Sequence, residues 1–245
     1  MVGLADVVVW HDVECGGYDA DLELWRSLAA EAAGPLLEIG CGTGRVALDL
    51  AARGFEVAAM DSDEALVGAL EERARARGLA VRASVGDART LGLPRRDFAL
   101  VVAPMQVVQL MGGPAGRGAM LAAVRSHLRP GGRFAAALAD PFEGVPAEES
   151  GPPLPDVREQ DGWVFSSTPV AVRSEGAGTA IDRLRQAVSP AGRLDESMSS
   201  IVLDAVGAGE LETEGAAAGF RVAPRRAVAA TGDYVGSAVV VLEAP

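Results

Sequence analysis

The apolar positions along the chain change their period several times, and each change marks an element. Between Asp19 and Ala33, residues Leu22, Trp25, Leu28, Ala29 and Ala32 recur at helical spacing, with Asp19 or Asp21 as N-cap and Gly34-Pro35 as the stop. This segment predicts an N-terminal helix. Short continuous apolar runs then alternate with helical stretches: strand Leu36 to Ile39, a glycine loop, helix Arg45 to Arg53, strand Phe55 to Met60, helix Glu64 to Arg77 and strand Ala80 to Val85. Strand Phe98 to Ala103, a helix from about Gly116 to Arg129, the turn Pro130-Gly131-Gly132 and strand Arg133 to Ala139 continue the alternation. Strands that alternate with helices imply a mostly parallel sheet covered on both faces.

Beyond Asp140-Pro141 the pattern changes. The stretch from Phe142 to Asp161 is rich in Pro, Gly and Glu and reads as a long loop. Three β-like runs follow, Trp163 to Arg173, Thr179 to Ser189 and Arg193 to Asp204, joined by turn formers and so predicting an antiparallel meander. A short helix near Glu210 to Ala218 and two strands, Phe220 to Ala229 and Tyr234 to Glu243, close the main sheet as an antiparallel pair. The expected fold is therefore α/β, with a seven-stranded, mostly parallel sheet, an antiparallel last strand and an antiparallel β insertion after strand five. The expected division is 1–140 for an N-terminal lid helix and core, 141–205 for the insertion or cap, and 206–245 for the rest of the core sheet.

A chain of 245 residues, 49% of them apolar, can bury a sizeable core as one elaborated domain. With 22 basic against 34 acidic side chains the net charge is −12, which repels phosphodiester backbones, and eleven aromatics offer few stacking platforms. Nucleic acid is not an expected partner. Every basic residue is Arg, so Schiff-base lysine chemistry and a lysine phosphate cradle are excluded. Cys15 and Cys41 form no C-x-x-C pair, and two histidines cannot build a zinc cluster unaided, so no metal is expected and a reducing cytoplasm fits. The N-terminal apolar run is cut by Asp6 and closed by His11-Asp12, unlike a signal peptide, and the run from Phe98 to Met111 contains Pro104, Gln106 and Gln109. No membrane span is expected.

The richest chemistry lies in Leu36-Leu37-Glu38-Ile39-Gly40-Cys41-Gly42-Thr43-Gly44. An acidic residue at a strand end precedes three glycines at alternate positions and a helix start. Glycine permits positive φ and close approach of backbone to a ligand. A dinucleotide fingerprint requires its third glycine one helical step later, where this chain has Arg45, so that reading loses ground.

LLEIGCGTGRVALDLA resembles the first motif of the class I S-adenosylmethionine-dependent methyltransferases, and three further motifs follow in family order. The resemblance covers about residues 18 to 140. It implies a Rossmann-like core with S-adenosyl-L-methionine as cofactor. Glu38, Gly40, Cys41, Gly42 and Gly44 would line its cradle. Asp61, in EVAAMDSDEAL and followed by Ser62, would take both ribose hydroxyls. Asp87, between Gly86 and Ala88 in VGDAR, would meet the adenine amino group, and Ala103-Pro104 would close the pocket after strand four. HLRPGGRF matches the turn into strand five. Read singly, the loop is also a tight connection, an acid at a strand end a helix cap, and GDAR a surface turn. At the carboxyl ends of successive parallel strands, however, they define one crevice.

Upstream, YDADLELW is similar to the aromatic segment that closes over the methionine end of the cofactor in small-molecule members of the family. Tyr18, Trp25 and Arg26 are the candidates there, against the alternative that Trp25 only packs and Arg26 is solvated. Candidate bases are His11 and Asp140, while Gln106 and Gln109 are placed to orient a polar acceptor and His127 reads as a helix C-terminal partner. Arg173, Arg183 and Arg185 in the insertion are expected to face water rather than substrate. The resemblance implies methyl transfer to an O or N atom of a small molecule, such as a secondary metabolite, by a monomer or homodimer. A non-methylating cyclisation or decarboxylation, and non-catalytic cofactor binding, remain open.

Overall fold

The computed structural model describes residues 6–139, 154–231 and 234–245, so Asp140 lies outside the described residues. Its helices are α1 (Val7–Cys15), α2 (Leu22–Ala32), α3 (Arg45–Ala52), α4 (Glu64–Ala76), α5 (Pro114–His127) and α6 (Ala208–Ala217). Its strands are β1 (Leu36–Ile39), β2 (Val57–Asp61), β3 (Val81–Val85), β4 (Phe98–Ala103), β5 (Leu128–Leu138), β6 (Asp156–Gln160), β7 (Trp163–Glu175), β8 (Gly178–Val188), β9 (Leu194–Asp204), β10 (Arg221–Val228) and β11 (Ser237–Glu243). They divide into two compact units: residues 19–139 with 206–245, and residues 6–18 with 154–205.

The larger unit holds a seven-stranded sheet of order β10-β11-β5-β4-β1-β2-β3. Strand β11 runs antiparallel to both neighbours while the other six share one direction. Every residue of β1 and β4 is buried, as expected for central strands covered on both faces. Alternation along β1 sends Leu37 and Ile39 into the cluster that includes Met120, Leu121 and Val124 of α5 and Leu211 of α6. Leu36 and Glu38 thus point to the opposite side of the sheet. The chain leaves β1 toward β2 and β3 on one side and returns through β4 and β5 on the other, so the two halves part at the carboxyl ends of β1 and β4. In open α/β sheets that parting is where ligands bind.

The smaller unit is an antiparallel sheet of order β6-β7-β8-β9 with α1 against β6 and β7. Two features depart from the expectation. β6 lies within the stretch read as loop; its Asp-Val-Arg-Glu-Gln carries no apolar alternation, and it exists because β7 supplies a partner edge. α1 has a β-branched Val-Val-Val run without a helical stripe, yet Asp6 caps it, accepting from Val8 and Val9 N–H at 3.1 and 3.3 Å. Trp10 then meets Phe165 edge-on at 5.6 Å, and Arg185 lies 5.2 Å over the Trp10 ring.

The insertion arginines also correct the expectation. Arg185 grips both oxygens of Glu14 at 2.7 and 2.8 Å, and Arg183 pairs with Asp156 and donates to the buried Ser167 hydroxyl at 2.8 Å. Burial alone would raise the Glu14 carboxyl, but the hydrogen bonds from Arg185 and Ser167 outweigh it and hold it below the usual range. Arg173 is half-exposed on Asp182 and Glu175. Among the described residues no helix is long and apolar enough to cross a membrane.

Candidate active site

The loop between β1 and α3 is a left-handed turn built on glycine. Gly40, Gly42 and Gly44 have φ of 66°, 52° and 95°, a region that side-chain-bearing residues avoid. Two of them also have neighbours that leave no room. A Cβ on Gly40 would stand 2.5 Å from Val107 Cγ2, and one on Gly44 would stand 2.8 Å from Leu70 Cγ. These glycines therefore serve packing as well as any ligand. The Cys41 N–H donates to Met60 O at 3.0 Å, tying the loop to the end of β2. Burial, followed by the charges of Glu38 and Asp61, pushes the Cys41 thiol up, so it stays neutral.

Glu38 closes β1 beneath this loop and is 3% exposed. Its Oε2 is a buried polar atom without a hydrogen-bond partner, an uncommon arrangement that calls for an explanation. Burial pushes its carboxyl up to about 8, against the attraction of Arg45 and the Ala47 backbone N–H; Asp21 and Asp61 push the same way as burial. Asp21 stands at the start of α2, but its side chain makes no capping bond. It instead holds the Arg45 guanidinium at 2.5 and 2.8 Å and accepts the Trp25 indole N–H at 2.7 Å.

That arrangement decides the fate of the aromatic segment. Trp25 is fully buried and spends its N–H on Asp21. Arg26 is a correction: its fork lies on Asp49 of α3 at 2.8 and 2.7 Å, which raises its already high pKa further, so it is engaged within the scaffold. Tyr18 and His11 fall in the smaller unit, and the site is built here from the larger one alone.

Asp61 ends β2 and accepts Gly42 N–H at 2.8 Å on one oxygen and Asp63 N–H at 3.1 Å on the other. The cap of α4 is Asp63, which accepts from Ala65 and Leu66 N–H at 2.8 and 3.2 Å. Asp61 is therefore not that helix's cap, and a carboxylate has lone pairs beyond the two in use. Ser62 beside it is exposed. After β3, Gly86 is packed on Met60, whose Cε would lie 2.9 Å from an added Cβ. Asp87 is held by the Arg89 guanidinium, with 2.6 Å between Arg89 Nη2 and Asp87 Oδ2, which keeps its carboxyl low; Ala88 follows, half-buried. Ala103 and Pro104 are buried at the end of β4.

Gln109 is a second correction. It does not reach for an acceptor: its amide exchanges two hydrogen bonds with the Ala139 backbone, at 3.0 and 3.1 Å, and clamps the end of β5. Gln106 is half-buried just before the 3₁₀ turn Val107–Leu110. His127, at the C-terminus of α5, sets Nδ1 2.8 Å from Ala123 O and Nε2 3.2 Å from Leu93 O. Sequence reasoning missed Asp21 and Arg45 as members of the site. A buried Asp-Arg pair between two helix starts has no local pattern, and the only signal was that Arg45 sits where another fold needs glycine.

The residues present suit the cofactor that the resemblance implies. An orphaned buried carboxylate oxygen seeks a cationic donor, a second carboxylate with spare lone pairs suits a diol, and the left-handed loop takes backbone angles that glycine allows.

Comparison with known proteins agrees with this geometry. A family model described as a methyltransferase domain matches residues 36–132. Hemagglutinin 1 from Eikenella corrodens is 31% identical over 96 residues, 39% of this chain and 31% of that protein, so the chain spans about a third of the length of this curated relative. Among solved structures, DesVI of Streptomyces venezuelae is similar at 22% identity and a TM-score of 0.73, covering 98% of both chains. CalS10, an amino pentose methyltransferase of Micromonospora echinaspora solved with S-adenosylmethionine, gives 22%, 0.72 and full coverage of both chains. The sugar N-methyltransferase KedS8 of Streptoalloteichus sp. gives 20% and 0.74, covering 98% of this chain and 94% of that one. At such identities the structural likeness speaks for the fold alone, and what the family match adds is a methyltransferase domain over residues 36–132.

Proposed function

We propose that the protein transfers the methyl group of S-adenosylmethionine to an amino nitrogen, or else a hydroxyl oxygen, of a small molecule. The observation that carries this reading is the unpartnered Glu38 Oε2 beneath the glycine loop at the carboxyl end of β1. In this reading Glu38 accepts from the cofactor's ammonium, Asp61 takes the ribose diol alongside its bond to Gly42, and Asp87 offers its remaining lone pairs to the adenine edge. The bound cofactor supplies a methyl carbon already activated by its sulfonium.

The chain's own residues then have mainly to orient and to exclude water, and orientation alone contributes up to about 7–11 kcal/mol. Arg117, buried on Glu214 at 2.8 and 2.6 Å between α5 and α6, and Gln109 on Ala139 keep the sheet's end rigid for that purpose. The nitrogen preference is supported by the structural relatives, whose names describe an amino pentose methyltransferase and a sugar N-methyltransferase. A neutral amine also needs no strong protein base. The test is incubation with methyl-labelled cofactor and paired acceptors, an amino sugar and its hydroxyl analogue. Labelled amine and stoichiometric S-adenosylhomocysteine are expected. Rearranged product without S-adenosylhomocysteine, or no turnover with any acceptor that binds, would overturn the reading.

A further inference from the structure

Asp87 is held at its backbone and again at its carboxylate. Gly86 N–H donates to Asp61 O at 2.8 Å, which ties the residue before Asp87 to the end of β2. On the other side the Asp87 carbonyl accepts from Thr90 and Leu91 N–H at 3.0 and 2.8 Å, and Leu91 is buried in the main core. The turn that carries Asp87 is thus anchored at both ends. Its carboxylate is held by one residue, Arg89, which donates its backbone N–H to Oδ1 at 2.8 Å, its Nε to Oδ1 and Oδ2 at 2.9 and 3.0 Å, and its Nη2 to Oδ2 at 2.6 Å. A planar guanidinium fork fixes the plane of a carboxylate, which a point charge does not. A carboxylate has about four lone-pair sites. Arg89 N–H and Nε take the two on Oδ1, Nη2 takes one on Oδ2 with Nε shared across, and Oδ2 keeps the last. An ionised carboxylate only accepts, so that last position takes a donor and repels a second acceptor.

Resting on the assignment of Asp87 to the adenine edge, we propose that Arg89 is a positioning residue that sets purine selectivity: by clamping the Asp87 carboxylate in one orientation it keeps the remaining lone pair of Oδ2 for the exocyclic 6-amino group, and so makes the site discriminate against a 6-oxopurine, whose oxygen is itself an acceptor. The Asp87 side chain is 43% exposed, so nothing but the fork confines it. Without the fork the aspartate has to be ordered by the ligand, which costs affinity for the amino ligand, and it is free to turn away from an oxo group.

Titration calorimetry compares S-adenosylhomocysteine with its 6-oxo analogue, S-inosylhomocysteine. The wild-type chain is expected to favour the amino ligand by roughly 10-fold to 150-fold, the worth of a hydrogen bond to a charged acceptor. Asp87→Asn offers a donor or an acceptor by turning its amide, so the preference should fall to within about twofold. Arg89→Met leaves the Asp87 charge and the backbone N–H of residue 89 in place, and should lower the preference about threefold to tenfold, the cost of ordering one side chain that the fork otherwise holds. Arg89→Lys keeps the positive charge without the fork and should lose most of the same preference. Both side chains lie on an exposed turn, so these variants are expected to fold, and thermal melts establish that they do. An unchanged preference in Arg89→Met, a loss of affinity equal for both ligands included, or full retention in Arg89→Lys, would overturn the role of Arg89, while the collapse in Asp87→Asn would leave the adenine assignment intact. An unchanged preference in Asp87→Asn, or a wild-type chain that does not distinguish the two ligands, would instead overturn that assignment, and the inference with it.

Discussion

Asp61→Ala separates the scaffold role of this carboxylate from its proposed ligand role. In the structure Asp61 already accepts two backbone N–H groups, from Gly42 at 2.8 Å and Asp63 at 3.1 Å. Gly42 is buried, so its N–H would be left without that partner, at a cost of about 1–3 kcal/mol. For a chain of this size each kcal/mol lowers Tm by roughly 2–4 °C, so a drop of roughly 2–12 °C is expected. The ligand effect is separate. Hydrogen bonds to a charged group contribute about 1.5–3 kcal/mol, so affinity for S-adenosylhomocysteine should fall roughly 10-fold to 150-fold. Asp61→Asn keeps one oxygen for Gly42 but loses the charge; it should melt closer to wild type and sit near the 10-fold end of that range. Calorimetry at a temperature well below either Tm reads the affinity, and circular dichroism reads the melt. A folded Asp61→Ala chain whose affinity changes by less than about twofold would mean that Asp61 only braces the glycine loop, and the ribose assignment would fall.

Gly40→Ala places a Cβ 2.5 Å from Val107 Cγ2 at a φ of 66°, and should cost about 1–3 kcal/mol in a urea melt. Adding Val107→Ala should relieve the overlap but not the strained backbone, so full recovery would refute this account. Gln109→Leu should destabilise the chain by about 2 kcal/mol and speed amide exchange at Ala139, since the Ala139 backbone N–H and C=O lose their partner together; unchanged exchange there would contradict it. Glu38 carries a pH signature in the cofactor-free protein. Its folded carboxyl sits near 8, against about 4.3 when unfolded, so the folded chain binds an extra proton between those values. Its stabilising contribution is complete below about pH 4 and is lost as pH rises toward 8. Urea melts should show wild type losing more stability than Glu38→Gln between about pH 5 and pH 8, and equal losses would refute the raised carboxyl.

Strands β1 and β4 match the sequence reading residue for residue because a strand buried on both faces writes itself as a nearly continuous apolar run, broken here only by Glu38. The glycine loop was equally legible, since positive φ at Gly40, Gly42 and Gly44 is a demand of the backbone itself, and Glu38 and Asp61 were found because they end strands whose positions were already known. Helix α1 and strand β6 were not legible. Val7–Cys15 lacks a helical stripe and Asp156–Gln160 lacks alternation, and each is ordered by what it packs on or pairs with.

The same limit applied to side chains. Nothing in the neighbourhood of Arg26, Arg45 or Gln109 along the chain names Asp49, Asp21 or Ala139 as a partner, because these bonds join residues 23 to 30 apart whose meeting depends on how the elements pack together. Local sequence determines which residues must leave water and which backbone angles are allowed. Only the packed structure decides which polar groups, once taken out of water together, must satisfy one another, and that selection leaves one oxygen of Glu38 without a hydrogen-bond partner.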